Sequence, residues 1–135
     1  MNNRIRQNAT MATVLFVGLG IFGPACFALQ IAAGPYLQCP GESSMTIQWI
    51  TDKDCTSWIE YGTGEVPDQK AVSGQYGLID AGQRIHRITL SGLKPGTEYR
   101  YRAVSKEILV FEAYKMTFGE TVSSPVRTFT TLDGR

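Results

Sequence analysis

The stretch Ile85–Val104, with the sequence IHRITLSGLKPGTEYRYRAV, predicts two β-strands joined by a tight turn. Apolar or aromatic residues alternate with polar ones over 86–90 and again over 99–103, and this period of two is typical of half-buried strands. Gly92 and Gly96 lie between the two segments, together with a proline, and these residue types favour turns. The stretch therefore predicts an antiparallel sheet with one buried face.

The turn also carries the spacing of a tyrosine corner, Leu93-x-Pro95-x-Thr97-x-Tyr99. In such a corner the phenol hydroxyl of the tyrosine bonds back to the backbone a few residues upstream. That bond fixes where the second strand starts and ties two sheets together. We therefore expect these four residues to form a structural corner in a β-sandwich.

Further segments with strand character follow one another at intervals of roughly ten residues. They lie at 33–38, 44–51, 57–61, 70–73 and 126–131. We expect a turn at 51–54 and a weakly patterned connection over 75–82, whereas 108–118 is compatible with either a hairpin or a loop. The total is seven antiparallel strands after an N-terminal hydrophobic leader, an all-β pattern typical of an immunoglobulin-like or fibronectin type III sandwich.

Strand alternation also predicts which side chains face the core and which face outward. The aromatic residues on the inward side are Trp49, Tyr61 and Tyr101. Trp58 falls on the opposite side, with Arg100 and Arg102 pointing outward on a neighbouring strand. Tryptophan flanked by arginine is the composition of a protein interface, and equally of a surface ring covered by long side chains. Both interpretations stay open, and 108–118, with Phe111 and other apolar residues, is a second candidate docking surface.

Residues 1–28 have the character of a secretory leader. Arg4 and Arg6 precede the apolar run ATVLFVGLGIFG at 12–23, and small residues lead to Ala28. This order predicts a signal peptide cleaved after Ala28 and a secreted domain. An uncleaved membrane anchor is the alternative, and only in that case do we expect a membrane contact.

Charge and cysteine content limit the possible partners. The whole chain has a net charge of +1, and loss of the two leader arginines would leave it near −1. This balance argues against nucleic-acid binding. Cys39 and Cys55 flank the predicted strand at 44–51, about 25 Å apart, whereas a disulfide needs Cα atoms within about 7 Å. We expect two unpaired thiols.

The sequence predicts no catalytic, metal or cofactor site. His86 is the only histidine, and its place on the inward side of a strand favours a buried structural imidazole. A triad with Ser91 and Asp80 is disfavoured because adjacent strand positions face opposite ways. After the leader the chain contains no asparagine, which further limits the supply of metal ligands.

Five motifs in order carry a resemblance to a known family. They are GPYLQ at 34–38, SMTIQW at 44–49, IEYG at 59–62, HRITLSGLKPGTEYRYR at 86–102 and FTT at 129–131. Together, over 33–133, they resemble the fibronectin type III-like N-terminal domain of purple acid phosphatases and related secreted metallophosphoesterases.

The resemblance implies a function without catalysis in this chain. In that family the N-terminal domain precedes a catalytic domain that holds two metal ions and hydrolyses phosphate esters. No residue of that dinuclear site can be placed on this sequence. We therefore expect a non-catalytic accessory domain, without a cofactor of its own, that packs against a phosphatase domain of a longer chain or of a partner. The alternative is a free-standing fibronectin type III module for adhesion or carbohydrate association.

Overall fold

The computed structural model describes residues 27–135, so the predicted leader lies almost entirely outside the described residues. The strands are β1 (Ile31–Gln38), β2 (Met45–Gly62), β3 (Gln69–Val72), β4 (Gly74–Gln75), β5 (Leu78–Ile79), β6 (Gln83–Leu90), β7 (Glu98–Glu112), β8 (Lys115–Ser123) and β9 (Arg127–Thr130). Every pairing is antiparallel. The described part of the chain contains no helix, so it also offers none that could span a membrane. The prediction of an all-β, antiparallel domain is confirmed.

The 18-residue strand β2 connects the two layers of the fold. Its first half pairs with β1 and with β6, whereas its second half pairs with β3 and with β7. One uninterrupted strand therefore belongs to both groups of strands. The arrangement is compatible with the predicted sandwich.

Strand pairing continues through the predicted turn at 51–54, but the chain does bend there as it passes from one layer to the other. Between Ile50 and Cys55, β2 advances five positions while its partner β6 advances only two. The backbone of Asp52 donates to the carbonyl of Gln30 at 3.1 Å, and the Asp52 carboxylate accepts the Gln30 N–H at 2.9 Å. Thr51 donates its hydroxyl to the carbonyl of Lys53 at 2.8 Å. Thr51 and Asp52, residue types that are common in turns, thus form hydrogen bonds with the backbone of Lys53 and Gln30 at the point where β2 changes pairing partners.

A single core lies between the two layers. Its buried residues come from both halves of β2 and from β6, β7, β9 and the turn before β7: Met45, Ile47, Trp49, Ile59, Ile88, Leu90, Leu93, Tyr99, Tyr101, Ala103 and Phe129. Trp49 is fully buried, and Tyr61 packs against the cluster while remaining partly exposed. The Trp49 indole N–H donates to the Ser105 hydroxyl at 2.9 Å, so its one polar atom is satisfied inside the core.

The Tyr99 hydroxyl accepts a hydrogen bond from the backbone N–H of Lys94 at 2.9 Å. Leu93 is buried in the core beside it, and Thr97 donates its hydroxyl to the carbonyl of Pro95 at 3.0 Å. The Tyr99 ring stacks on Phe129 of β9, with ring centres 5.6 Å apart. The corner thus connects the turn before β7 to the core and to the last strand.

Two segments without a definite strand prediction form hairpins. The undecided segment 108–118 is a β-hairpin in which β7 pairs with β8 as far as Glu112 and Lys115. Register shifts near Ile108 mark irregular pairing where the hairpin continues beyond the last β2–β7 pair, Cys55 and Glu107. The connection over 75–82, for which no strand was predicted, takes part in a short antiparallel ribbon of β4 and β5.

The strand registers place the two ends of the described chain at opposite ends of the domain. At one end, which we call the hairpin end, Ile31 lies opposite Thr51, and Glu107 lies opposite Cys55. At the other, the corner end, Glu98 pairs with Thr130, and the segment after β9 accepts a backbone hydrogen bond from Gly96 at 3.1 Å. The described chain therefore begins at the hairpin end and finishes at the corner end.

Both described cysteines are free thiols, as the sequence predicts. Cys39 is exposed just after β1, and Cys55 is buried within β2. Burial is the main cause that raises the pKa of the Cys55 thiol, which keeps it protonated and a poor nucleophile.

Replacing Tyr99 with phenylalanine should remove one partly buried hydrogen bond and leave the aromatic ring in place. We expect Tyr99→Phe to lower the free energy of unfolding by about 1–2 kcal/mol, measured by urea denaturation. Tyr36→Phe is the matched control, because Tyr36 is half exposed on β1, and it should change stability by less than about 0.5 kcal/mol. Equal midpoints for wild type and Tyr99→Phe would show that the corner bond contributes nothing.

Gly34 combines a left-handed backbone, with φ of 91°, and close packing on β2. A Cβ at this position would lie 3.1 Å from the Cα of Trp49, whereas at Gly82, with φ of 72°, it would meet nothing within 4 Å. We expect Gly34→Ala to cost about 3 kcal/mol or more, from backbone strain plus overpacking. Gly82→Ala should cost only the strain, about 1–2 kcal/mol. Equal losses in denaturant titrations would contradict the packing argument.

Candidate functional site

The predicted outward surface lies where β3, β2 and β7 run side by side. We call it the Trp58 face and define it by Trp58, Glu60, Lys70, Arg100 and Arg102. Glu60 sits opposite Lys70 of β3 on one side and Arg102 of β7 on the other. Arg100 lies opposite Gly62, one row closer to the corner end. The strand registers thus bring all three predicted interface residues onto one surface.

The side chains of this face are connected to one another. The Lys70 ammonium lies 4.1 Å from the centre of the Trp58 ring, and the indole N–H donates to one carboxylate oxygen of Glu60 at 3.1 Å. The other oxygen of Glu60 accepts from the Arg102 guanidinium at 2.5 Å. This arrangement fixes the plane of the Trp58 ring, because both its face and its N–H have a partner.

Glu60 is the electrostatic centre of the face. Burial acts to raise its pKa, but hydrogen bonds from Trp58 and Arg102 and the neighbouring positive charges outweigh this, so the pKa lies below its ordinary value. The carboxylate therefore stays ionised at neutral pH.

The Arg100 guanidinium is held less tightly, because it donates to the Glu65 carbonyl over a long 3.5 Å. A pre-oriented aromatic ring beside a loosely held guanidinium suits contact with a protein surface more than chemical catalysis.

Lys70 is a member of this face that was not predicted from the sequence. The signal was available in principle, since Glu60 and Lys70 carry opposite charges and β2 and β3 form a hairpin. However, the loop that joins β2 to β3 is six residues long, and the register of two strands joined by such a loop does not follow from the sequence.

His86 is a buried, neutral imidazole within the core. Its Nε2 lies 2.9 Å from the Thr51 hydroxyl, and its ring centre lies 5.2 Å from that of Trp49. Burial lowers the pKa of His86 to about 4. Asp80 accepts a hydrogen bond from the Ser73 hydroxyl at 2.5 Å, so its carboxylate already has a partner. The geometry gives His86 a structural role in place of an acid–base one.

A shallow concavity lies above His86, between β6 and the segment that carries β4 and β5. It is lined by Ser73, Asp80 and Arg87 among others and encloses about 220 Å³. Ligand pockets commonly occupy about 300–1,000 Å³, so this concavity is smaller than most. Across residues 27–135, no three His, Cys, Asp or Glu side chains come together in a way that could hold a metal ion.

The β7–β8 hairpin is a second surface, and it is rich in exposed apolar side chains. These are Leu109, Phe111, Tyr114, Met116 and Phe118. The Lys106 ammonium lies 4.6 Å from the centre of the Phe118 ring. Phe111, Tyr114 and Met116 belong to the segment 108–118, which the sequence offers as a second candidate docking surface, and all three side chains are exposed.

A comparison with family descriptions identifies the domain. The description "Purple acid Phosphatase, N-terminal domain" matches residues 33–131. The chain belongs to this family. The match begins within β1 and ends just after β9, so this purple acid phosphatase N-terminal domain accounts for nearly all of the described fold.

Other comparisons add little about this purple acid phosphatase N-terminal domain. A comparison with curated proteins yields no match. Among solved structures, the chain is similar to the solution structure of the sensor domain of the anti-sigma factor RsgI4 in Pseudobacteroides cellulosolvens. The two are 19% identical, with a TM-score of 0.47, over 78% of this chain and 75% of that one.

His86 should make the stability of the domain depend on pH. Its pKa is about 4 when folded, against an ordinary value of 6.5. The unfolded chain therefore binds more protons between these pH values, and the free energy of unfolding falls as the pH drops through this window. Between pH 7 and pH 5 we expect a loss of about 2 kcal/mol from this group, measured by urea denaturation.

The variant His86→Gln provides the control, because it removes the titrating group and keeps polar atoms near Thr51. This variant should lose distinctly less stability than wild type over the same pH interval. As the only histidine, His86 can also be titrated directly by NMR of its ring protons. A folded-state pKa near 6.5 would contradict the burial argument.

Proposed function

We propose that this chain is a non-catalytic accessory domain that packs against the phosphatase domain of a purple acid phosphatase-like metallophosphoesterase, in a longer chain or in a partner. The observation that carries the proposal is the family match over 33–131, which concerns the N-terminal domain of such enzymes. The accessory domain would bury part of its surface and orient the enzyme domain. We further propose that it works outside the cytoplasm, in keeping with the leader-like character of residues 1–28.

The Trp58 face is the surface we assign to this contact. Tryptophan and arginine are enriched among residues that dominate binding energies at interfaces, and an ordered ring loses little entropy on binding. Trp58 is held by Lys70 and Glu60, so its orientation is set before a partner arrives.

The position of the face relative to the corner end also supports this assignment. Arg100 pairs with Thr128 of β9 and so lies close to the place where the described chain finishes. A domain that followed Arg135 would begin at this end, near the Trp58 face. Packing within one longer chain is therefore sterically simple.

The dinuclear metal centre implied by the family does not fit the residues of this domain. His86 is buried, and its Nε2 lies beside the Thr51 hydroxyl. The carboxylates of Glu60 and Glu107 form ion pairs with Arg102 and Lys53. These side chains are far from forming the convergent set of ligands that two metal ions require, so we derive no catalytic step in this domain.

The packing contact can be tested by titration calorimetry with the full chain. The probe is the catalytic domain of a purple acid phosphatase encoded in the same genome, expressed without its own N-terminal domain. We expect saturable binding that weakens at least about tenfold in Trp58→Ala, as for an interface hot spot. The matched control is Ile85→Ala, an exposed apolar residue on β6 in the other layer, which should bind like wild type. Absence of binding, or equal binding by both variants, would overturn the assignment and favour a free-standing module.

The non-catalytic part of the proposal has its own test. The purified chain, supplied with zinc, iron or manganese, should not hydrolyse p-nitrophenyl phosphate above the rate of the metal alone. Activity that rises in proportion to bound metal, and that survives a second purification step, would overturn this part and leave the packing test unaffected.

A further inference from the structure

The hairpin end of the domain presents an apolar surface of its own. Phe111 is 63% exposed and Leu109 is 58% exposed, and Tyr114 at the tip is fully exposed. Beyond Glu107, β7 pairs with β8 but no longer with β2, so this part of the hairpin has a strand partner on one side only among the described strands. Contiguous exposed apolar side chains of this kind mark sites of protein or membrane contact.

The chain enters the described fold beside this hairpin. Phe27 and Ala28 line the same open concavity as Leu109 and Phe118. Leu29 is then buried, and Ile31 starts β1 opposite Thr51. Whatever precedes Phe27 is therefore attached at the hairpin end, away from the corner end and the last residues of the chain.

The sequence that precedes this point is suited to a lipid bilayer. Residues 9–26, ahead of the described fold, carry no charge, and their length falls within the range of about 17–25 residues that a membrane span needs. Arg4 and Arg6 lie before this stretch. An anchor of this kind would hold the hairpin end close to the membrane surface.

The charges near the hairpin balance one another. Glu112 lies opposite Lys115 in the β7–β8 register, and Lys53 forms an ion pair with Glu107 at 2.9 Å. The surface therefore lacks the surplus of basic residues that attracts proteins to anionic lipids. Its contribution is apolar and aromatic, and aromatic side chains favour the interface between lipid and water.

We propose that residues 1–28 remain attached as a membrane anchor and that the β7–β8 hairpin rests on the lipid surface, with Phe111, Tyr114 and Met116 at the interface. The anchor keeps the hairpin at a high effective concentration near the bilayer, so a few apolar side chains suffice for contact. The corner end then points away from the membrane. This inference goes beyond the proposed function, since it concerns the opposite end of the domain.

The test uses the full chain reconstituted into vesicles of phosphatidylcholine, with and without brominated acyl chains as quenchers. Tyr114→Trp places a fluorescent probe at the hairpin tip, and Val66→Trp places one in the loop after β2, near the corner end. Both variants are made on Trp58→Phe, so that Trp49 in the core is the only native tryptophan left. We expect quenching of the Tyr114→Trp probe to exceed that of the Val66→Trp probe at least about twofold, as for an aromatic residue at the interface.

Two further measurements make the result decisive. Because the contact is apolar, 0.5 M sodium chloride should leave the quenching at the hairpin unchanged, since salt screens exposed charges and not apolar contacts. Mass spectrometry of the chain recovered from cell membranes should show residues 1–28 still present. Equal quenching of the two probes, loss of quenching in salt, or a chain released with its N-terminus after Ala28 would each overturn the proposal.

Discussion

The structure depends on the continuity of β2, which has to face one core from two different layers. Trp49 in its first half and Ile59 in its second half are both fully buried in the same cluster. Because side chains alternate along a strand, a slip of one residue in either half would turn that half's apolar residues toward solvent. At the crossing between the halves, Asp52 bonds the backbone of Gln30, the residue just before β1.

The core built on β2 also contains polar groups, and each of them is paired. Trp49 donates to Ser105, whose hydroxyl lies 2.7 Å from that of Ser57, and His86 lies within hydrogen-bond distance of Thr51. A buried polar atom without a partner costs free energy. Alternative packings of the core that would break these hydrogen bonds are therefore disfavoured. Among the described residues, no buried side-chain polar atom lacks a partner. Because burial lowers the pKa of His86, protonation of its ring destabilises the fold.

The two ends of the domain differ in what they can contact. The corner end holds the last strand and lies near Arg100, whereas the hairpin end carries Phe111 and Tyr114 in solvent. This difference between the two ends is the basis of the two proposals, that an enzyme domain contacts one surface and a membrane contacts the opposite end. Family membership concerns the whole domain and does not distinguish between its surfaces, so the assignment of each surface depends on the structure.

The sequence alone determined the all-β class, the strands around the tyrosine corner and the family, because alternation and turn residues act over short distances. It could not determine that β2 runs through 51–54, since Asp52 finds its partner in Gln30 only after the layers have assembled. Nor could it predict that Lys70 lies over the Trp58 ring or that 108–118 forms a hairpin, because both depend on strand register and on bulges. The sequence carries the local pattern, and only the tertiary structure decides which distant residues share a surface, because that choice is made by packing the core.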